Sequence, residues 1–442
     1  MRDTMPAIRD LVEAAQNAGP NPGTRVSQMA AGLVGSEILK IAAEIRALSA
    51  GGRKLCDLTV GDFNPRHFPV PRSLVDGINR ALAQGETNYP PSNGMPELRH
   101  AIRRFYEREL GLLYPIESVL VAAGARPIIY GIYRTLCDPG DRVVYPVPSW
   151  NNNHYVHMLG AIPVPVGCPP QDRFLPTRES LRDALPGARL LCLCSPLNPA
   201  GTAFSSDALH GICEAVLEEN RRREARAERP LYVLYDHVYW MLCFGSAHHE
   251  TPPGLLPEMA RYTLFVDGIS KSFAATGVRV GWGVGPVDLI ARMSAILGHV
   301  GAWAPRAEQV ATVGLLDDAA GVRSFQAGFR LGIETRLHRL HQGFRELQGA
   351  GLPVESIPPM GAIYLTVRIH PFGRRTPQGA VLTTNEAVRR YLLEAAALAI
   401  VPFQAFGAQQ DDGWFRLSVG AVDEQDIVDA LPRLRAALEA LA

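Results

Sequence analysis

The sequence predicts an α/β fold. A large domain carries a mostly parallel sheet sandwiched by helices, and a smaller α+β domain is built from the N- and C-terminal segments. Three observations lead there. From about residue 60, short apolar runs alternate with amphipathic stretches of helical period. After about residue 315 that alternation gives way to a long amphipathic helix, two strand-like runs and a closing helix. At 442 residues the chain exceeds one ordinary core, so more than one domain is expected.

Residues 1–32 are polar, punctuated by NAGPNPGT, and read as an arm. SEILKIAAEIRALSA places Ile38, Ile41, Ala42 and Ile45 on one helical face. VLVA (119–122), RVVYPV (142–147), IPVPV (162–166), RLLCLC (189–194), LYVLYD (231–236) and TLFVD (263–267) read as buried strands. RPIIYGIYRTLC and SDALHGICEAVLEENRRREARAE read as helices between them, the pattern of a parallel sheet covered on both faces. A helix over roughly 321–349 precedes GAIYLTVRI and LAIVPF, and EQDIVDALPRLRAALEALA closes the chain. The expected division is a small domain of 33–60 with 315–442, and a large domain of 61–314. RRREARAER (221–229) reads as a solvated helix end.

Composition excludes several classes. Apolar residues make up 47% and charged residues 20%, which does not suit a disordered chain or a coiled coil. Lys+Arg and Asp+Glu both count 44, so no global charge points to nucleic acid or an anionic membrane. No apolar run spans a bilayer, and MRDTMPAIRDLVEAAQ lacks the pattern of a secretory signal. Seven scattered cysteines read as reduced, mostly buried thiols of a cytoplasmic protein.

The chemistry gathers at predicted strand ends. In DGISKSFAATGVRVGW (267–282), Lys271 follows a strand beside small residues, where an amine suits a Schiff base with a carbonyl cofactor. Arg279 offers a bidentate anion clamp. In YDHVYW (235–240), Asp236 ends an apolar strand and needs a cationic partner, such as a protonated pyridine nitrogen. Tyr239 and Asn198, the latter in the rigid SPLNPAG turn, are donors for a neighbouring phenolate oxygen. In VAAGARPIIYG (121–131), Gly124, Ala125 and Arg126 open a helix at its positive end and suit a phosphate. Trp150 in VPSWNNN offers an indole face for a flat ring. Tyr89 precedes a Pro- and Gly-rich turn, and Arg416 sits in the apolar run GWFRLSVG, where a buried guanidinium needs an anion. Each feature alone also reads as ordinary packing, a turn or an ion pair. Together they supply a full binding inventory for one cofactor.

From about residue 33 to the C-terminus the chain resembles the fold-type I pyridoxal 5'-phosphate (PLP) aminotransferases of class I/II, the aspartate aminotransferase group. LTVGDFNP (58–65), YPPSNGMPELR (89–99), SPLNPAGT (195–202), DHVY (236–239), SKSFAATGVRVGW (270–282) and GAIYL (361–365) carry the resemblance. It implies Lys271 as Schiff-base lysine and proton shuttle, with Ser270 beside it in the cofactor pocket. It implies Asp236 as partner of the pyridine nitrogen, Tyr239 and Asn198 as phenolate donors, and Trp150 as the stacking ring. Ala125 and Arg279 would contact the phosphate, and Tyr89 would reach it in a neighbouring subunit of a homodimer. Arg416, with Gly61, would hold the substrate α-carboxylate.

The departures are specific. Gly268 stands where many relatives carry a phosphate-binding Ser, His237 where Glu is common, and Asn153 where an aromatic is frequent. The expected reaction is ping-pong transfer of an amino group from an L-amino acid to a 2-oxo acid, with aspartate and 2-oxoglutarate as leading substrates. Arg126 is the candidate clamp for a distal carboxylate, and Glu37 the group that would cancel it. Aromatic or methionine donors, a PLP lyase or decarboxylase, and a PLP-dependent regulator are the alternatives. His154 with His157, His248 with His249, and Cys192 with Cys194 lack a matching second pair at zinc spacing, so no metal is expected.

Overall fold

The computed structural model describes residues 26–33, 35, 37–50, 52 and 54–442, without the side chains of 37–39, 42 and 49–50. Most of the expected arm therefore lies outside the described residues. Its contacts divide the chain into residues 1–34 and 35–442. In the first unit the described part holds a short helix, Gln28–Gly32, whose first turn is capped by Ser27 Oγ accepting from the Ala30 N–H at 3.2 Å.

The second unit is built on a seven-stranded sheet. In chain order its strands are β2 (Val119–Ala122), β3 (Arg142–Val147), β4 (Ile162–Gly167), β5 (Ala188–Cys194), β6 (Tyr232–Asp236), β7 (Thr263–Gly268) and β8 (Gly281–Val284); β1 (Cys56–Asp57) lies elsewhere. Their order across the sheet is β2-β8-β7-β6-β5-β3-β4. β8 runs antiparallel to both neighbours, and the other pairs are parallel. All six strands expected here form. β8 was not foreseen, because its short Gly-Trp-Gly-Val run lies inside a motif read for its chemistry.

Alternation along each strand explains the apolar runs. Leu190 and Cys192 of β5 join one core, and Leu191 and Leu193 join the other. With both faces covered by helices, neither set can be polar. The exception is β4, which is not buried as expected. It is one of the sheet's two edges; Ile162 is 47% exposed, whereas β2 at the other edge is buried throughout, and Pro163 and Pro165 are tolerated in β4 because an edge strand can spare their missing N–H groups. The solvated reading of 221–229 holds except at Arg223. Arg223 is buried, bonded to Glu219 at 2.7 Å and to the Leu185 carbonyl at 3.0 Å.

The rest of the unit carries a four-stranded antiparallel sheet. In chain order it contains β9 (Val354–Ser356), β10 (Tyr364–Ile369), β12 (Val401–Pro402) and β13 (Trp414–Ser418), arranged β12-β13-β10-β9. β11 (Leu398–Ala399) pairs in parallel with β1. The expected long helix is Ala319–Gly349, and the closing helix is Glu424–Glu439, started by a capping box between Asp423 and Asp426. Ile41 and Ile45 of the Glu37–Ala50 helix are buried as their spacing requires, whereas Ile38 and Ala42 lie outside the described side chains. All seven cysteines are free thiols.

Candidate active site

The C-terminal ends of the parallel strands β5, β6 and β7 supply the site, as such sheets do where loops leave them. Asp236 is the last residue of β6, opposite Cys194 of β5. Its Oδ1 accepts the Val238 N–H at 3.2 Å. Burial pushes its carboxyl up to about 6, while the Val238 N–H and the Lys271 ammonium pull the other way.

β7 runs into a one-turn helix, Ile269–Ser272, that presents Lys271. Its Nζ donates to the Gly61 carbonyl at 2.6 Å and lies 5.8 Å from the ring centres of Phe63 and Tyr239. Burial pushes the amine down to about 8. Asp62 opposes that shift, and the cations of Arg416, Arg126 and Arg279 add to it. An amine that deprotonates near neutral pH is suited to nucleophilic and proton-transfer work.

A cavity of about 110 Å³ is lined by Ala125, Arg126, Trp150, Asn198, Asp236 and Tyr239, six residues expected from sequence. The Arg126 guanidinium sits 4.8 Å from the Trp150 ring centre. The indole thus already carries a cation on one face. Asn151 adopts a left-handed conformation, φ 66°, where the chain turns into the Asn152–Leu159 helix. Asn152 accepts from the Tyr133 hydroxyl at 3.0 Å and donates to Ser149 at 3.1 Å. Two of the three consecutive asparagines therefore have structural roles.

Small residues leave room at the start of the Ala125–Leu136 helix. A Cβ on Gly124 would lie 2.2 Å from the Arg279 guanidinium, and one on Gly281 only 2.4 Å from the Gly124 carbonyl carbon. Arg279 is held by the carbonyls of Thr276 at 2.6 Å and Ala123 at 2.9 Å. Gly268 pairs with Gly281 across β7 and β8, where a Cβ would lie 2.8 Å from the Gly281 Cα. A serine there would clash, so Gly268 is matched to how closely these strands pack.

Arg416 is fully buried on β13. Its guanidinium donates to the Thr59 carbonyl at 2.5 Å and to Asn198 Oδ1 at 3.2 Å, and it stacks 4.6 Å from the Tyr364 ring. Its Nε has no partner. A buried cation with a spare donor is matched to an anionic guest.

Not every expected residue joins the cavity. Tyr89 is 82% exposed and packs edge-on against Trp303. Ser270, Gly61, Gly124, Arg279 and Arg416 are outside the cavity lining, as is Lys271, whose Nζ lies 5.8 Å from the ring of Tyr239 on the cavity wall. The Glu37 side chain lies outside the described residues. Sequence reasoning missed Tyr364, whose hydroxyl bonds to that of Tyr239 at 2.6 Å. It lies inside the quoted GAIYL run, but only the fold brings β10 to Tyr239. Asp62 was missed as well; it accepts from Thr276 at 2.6 Å and steadies the charge on Lys271.

Residues 53–434 match the family model "Aminotransferase class I and II". The chain belongs to the class I and II aminotransferases. An aspartate aminotransferase of Rhizobium meliloti (strain 1021) is 31% identical over 430 residues, 97% of this chain and 98% of that one. The solved aspartate aminotransferase of Rhizobium meliloti superposes with TM-score 0.86 at 30% identity, covering 95% of this chain and all of that one. The aspartate aminotransferase of Thermus thermophilus with maleate superposes with TM-score 0.83 at 27% identity, covering 93% and 99%. This aminotransferase is a PLP enzyme, and its own residues fit that cofactor. The glycine-floored helix start with Arg279 suits a phosphate, and the half-buried carboxyl of Asp236, on the cavity wall, suits a pyridinium. No helix among its described residues is long and apolar enough to cross a membrane.

Proposed function

We propose that this aminotransferase moves the amino group of aspartate to 2-oxoglutarate in a ping-pong cycle. The observation that carries the reading is the half-buried Lys271 amine, pushed down to about 8, whose Nζ lies 5.8 Å from the ring of Tyr239 on the wall of a cavity lined by Asp236, Asn198 and Arg126 as well. PLP supplies an electron sink for the substrate α-carbon. Asp236 would hold a proton on the pyridine nitrogen, and Tyr239 and Asn198 would orient the ring oxygen. The helix start at Gly124–Arg126 with Arg279 binds the phosphate. Arg416 would fix the α-carboxylate, and the Lys271 amine would serve as the base that takes the α-proton and as the acid that gives it back.

Aspartate is favoured by Arg126, a cation on the cavity wall held against Trp150, and by the aspartate aminotransferases among the relatives. A homodimer with shared sites is part of the reading, because exposed Tyr89 is free to serve a neighbouring copy. So are a cytoplasmic location and the division into a 61–314 large domain and a 33–60 with 315–442 small domain. Lys271→Ala should abolish turnover, and a variant with normal turnover would remove the assignment. Arg126→Ala should raise KM for aspartate at least about tenfold more than for phenylalanine, the loss of one charge-assisted contact. Equal changes would exclude Arg126 as the acidic-substrate clamp and point to an aromatic or methionine donor.

A further inference from the structure

We propose that Asp267, Tyr106, His237 and His249 form a proton-transfer chain that links a buried carboxyl at the end of β7, four residues before Lys271, to a second cavity on the molecule's surface. Through this chain the charge beside Asp236 is exchanged with solvent. The chain itself does not depend on the catalytic reading; only its consequence for Asp236 does.

The geometry is continuous. The Tyr106 hydroxyl lies 3.1 Å from Asp267 Oδ2 and 2.8 Å from His237 Nε2. His237 Nδ1 lies 3.2 Å from His249 Nε2. His249 Nδ1 is buried without a partner, and the His249 side chain lines a cavity of about 760 Å³, separate from the active-site cavity. Fixed donors hold the inner end. Gly268 N–H reaches Asp267 Oδ1 at 2.7 Å, Trp240 Nε1 reaches Oδ2 at 3.0 Å, and Trp282 Nε1 reaches the Tyr106 oxygen at 3.2 Å.

Two bonding patterns satisfy all three contacts of the chain and leave His249 Nδ1 as its open outer end. In one, protonated Asp267 donates to Tyr106, Tyr106 to His237 Nε2, and His237 Nδ1–H to His249 Nε2; His249 keeps its proton on Nδ1. In the other, each bond is reversed. His249 Nε2–H donates to His237 Nδ1, His237 Nε2–H to the Tyr106 oxygen, and Tyr106 to an ionised Asp267. The two patterns differ by one proton, lost or gained at His249 Nδ1. No bond between heavy atoms changes, and no electrons are transferred.

The relays stay neutral in both patterns. Burial holds the Tyr106 phenol well above its usual range and the His237 imidazole well below. It pushes His249 down to about 3. Burial, reinforced by the charge of Asp236, pushes Asp267 up to about 8, so Asp267 is the member whose charge changes near neutral pH. Asp236 and Tyr235 face the cluster from β6, and Tyr114 from the segment before β2. His248, Glu109, Arg323, Arg330 and Glu334 stand around the outer cavity.

The test is infrared spectroscopy of the full-length protein as purified. Asp267→Asn identifies the protonated-carboxyl C=O stretch by removing it. After transfer to D2O, His249→Gln and His237→Gln keep an amide in the bonding position but cannot relay a proton, so deuteration of that stretch should slow at least about tenfold. An unchanged rate in His249→Gln overturns the chain, as does the absence of any Asp267-dependent stretch. A second readout needs no variant. Nitrogen-15 signals of the two histidines should exchange tautomers with the same midpoint as the carboxyl stretch, whereas fixed tautomers across that range overturn it. Failure of the catalytic reading would show instead as normal turnover in Lys271→Ala, which leaves these measurements unaffected.

Discussion

Gly281 shows how closely single residues are constrained. Its missing side chain lets β8 run against Gly124, leaving the helix start and Arg279 in register with one another. Gly281→Ala should destabilise the fold by about 1–3 kcal/mol through overpacking and weaken PLP binding in parallel. Denaturant unfolding and a cofactor titration check both. Asp267 gives a second expectation at this scale. Its carboxyl is raised from 3.8 to about 8, so the stability it contributes when neutral is present below 3.8 and lost as pH rises through about 8. Asp236, raised to about 6, acts in the same sense over a narrower window. Lys271 acts oppositely and only at higher pH, stability rising from about 8 to 10.5. Asp267→Asn removes the widest of these contributions, so the decline of its unfolding midpoint between pH 4 and 8 should be shallower than in the unmodified protein. The same decline in both proteins would contradict the assignment.

Individual elements were legible where one physical rule dominates. Apolar runs of four to seven residues between Gly- and Pro-rich turns gave the strands of the large sheet, because both faces must be apolar. The rule fails at β4, which looks like its neighbours in sequence but lies at the edge, and at β8, which is short and glycine-rich. Lateral position in a sheet is a long-range property that a run of residues does not encode. Asn151 illustrates the converse, a local feature with a local cause. Asn151→Gly should be nearly neutral, whereas Asn151→Val should cost about 1–2 kcal/mol, because a β-branched residue resists the left-handed conformation. Thermal unfolding of the two variants separates them.

At the scale of the whole molecule, the candidate site joins residues separated by most of the chain. Asp236, Lys271, Asn198 and Arg126 were legible because their roles demand rare residue types at strand ends. Tyr364 and the Asp267–Tyr106–His237–His249 cluster were not, because tyrosine and histidine in apolar segments fit ordinary packing until tertiary contacts are known. Exposed Tyr89 belongs to the same scale. If sites are shared between copies, mixing Lys271→Ala with a Tyr89→Ala variant should restore tight PLP binding and turnover in mixed dimers, at one site of two. Activity no greater than the sum of the separate variants would place Tyr89 outside the neighbouring site.

The central claim is amino-group transfer through Lys271. The most direct measurement is a half-reaction: PLP-loaded protein mixed with single amino acids and no oxo acid, followed by absorption and product analysis. The expected result is conversion of the cofactor to its amine form with one 2-oxo acid released per site, fastest with aspartate or glutamate and absent in Lys271→Ala. Release of carbon dioxide, or no spectral change with any amino acid, would contradict the account.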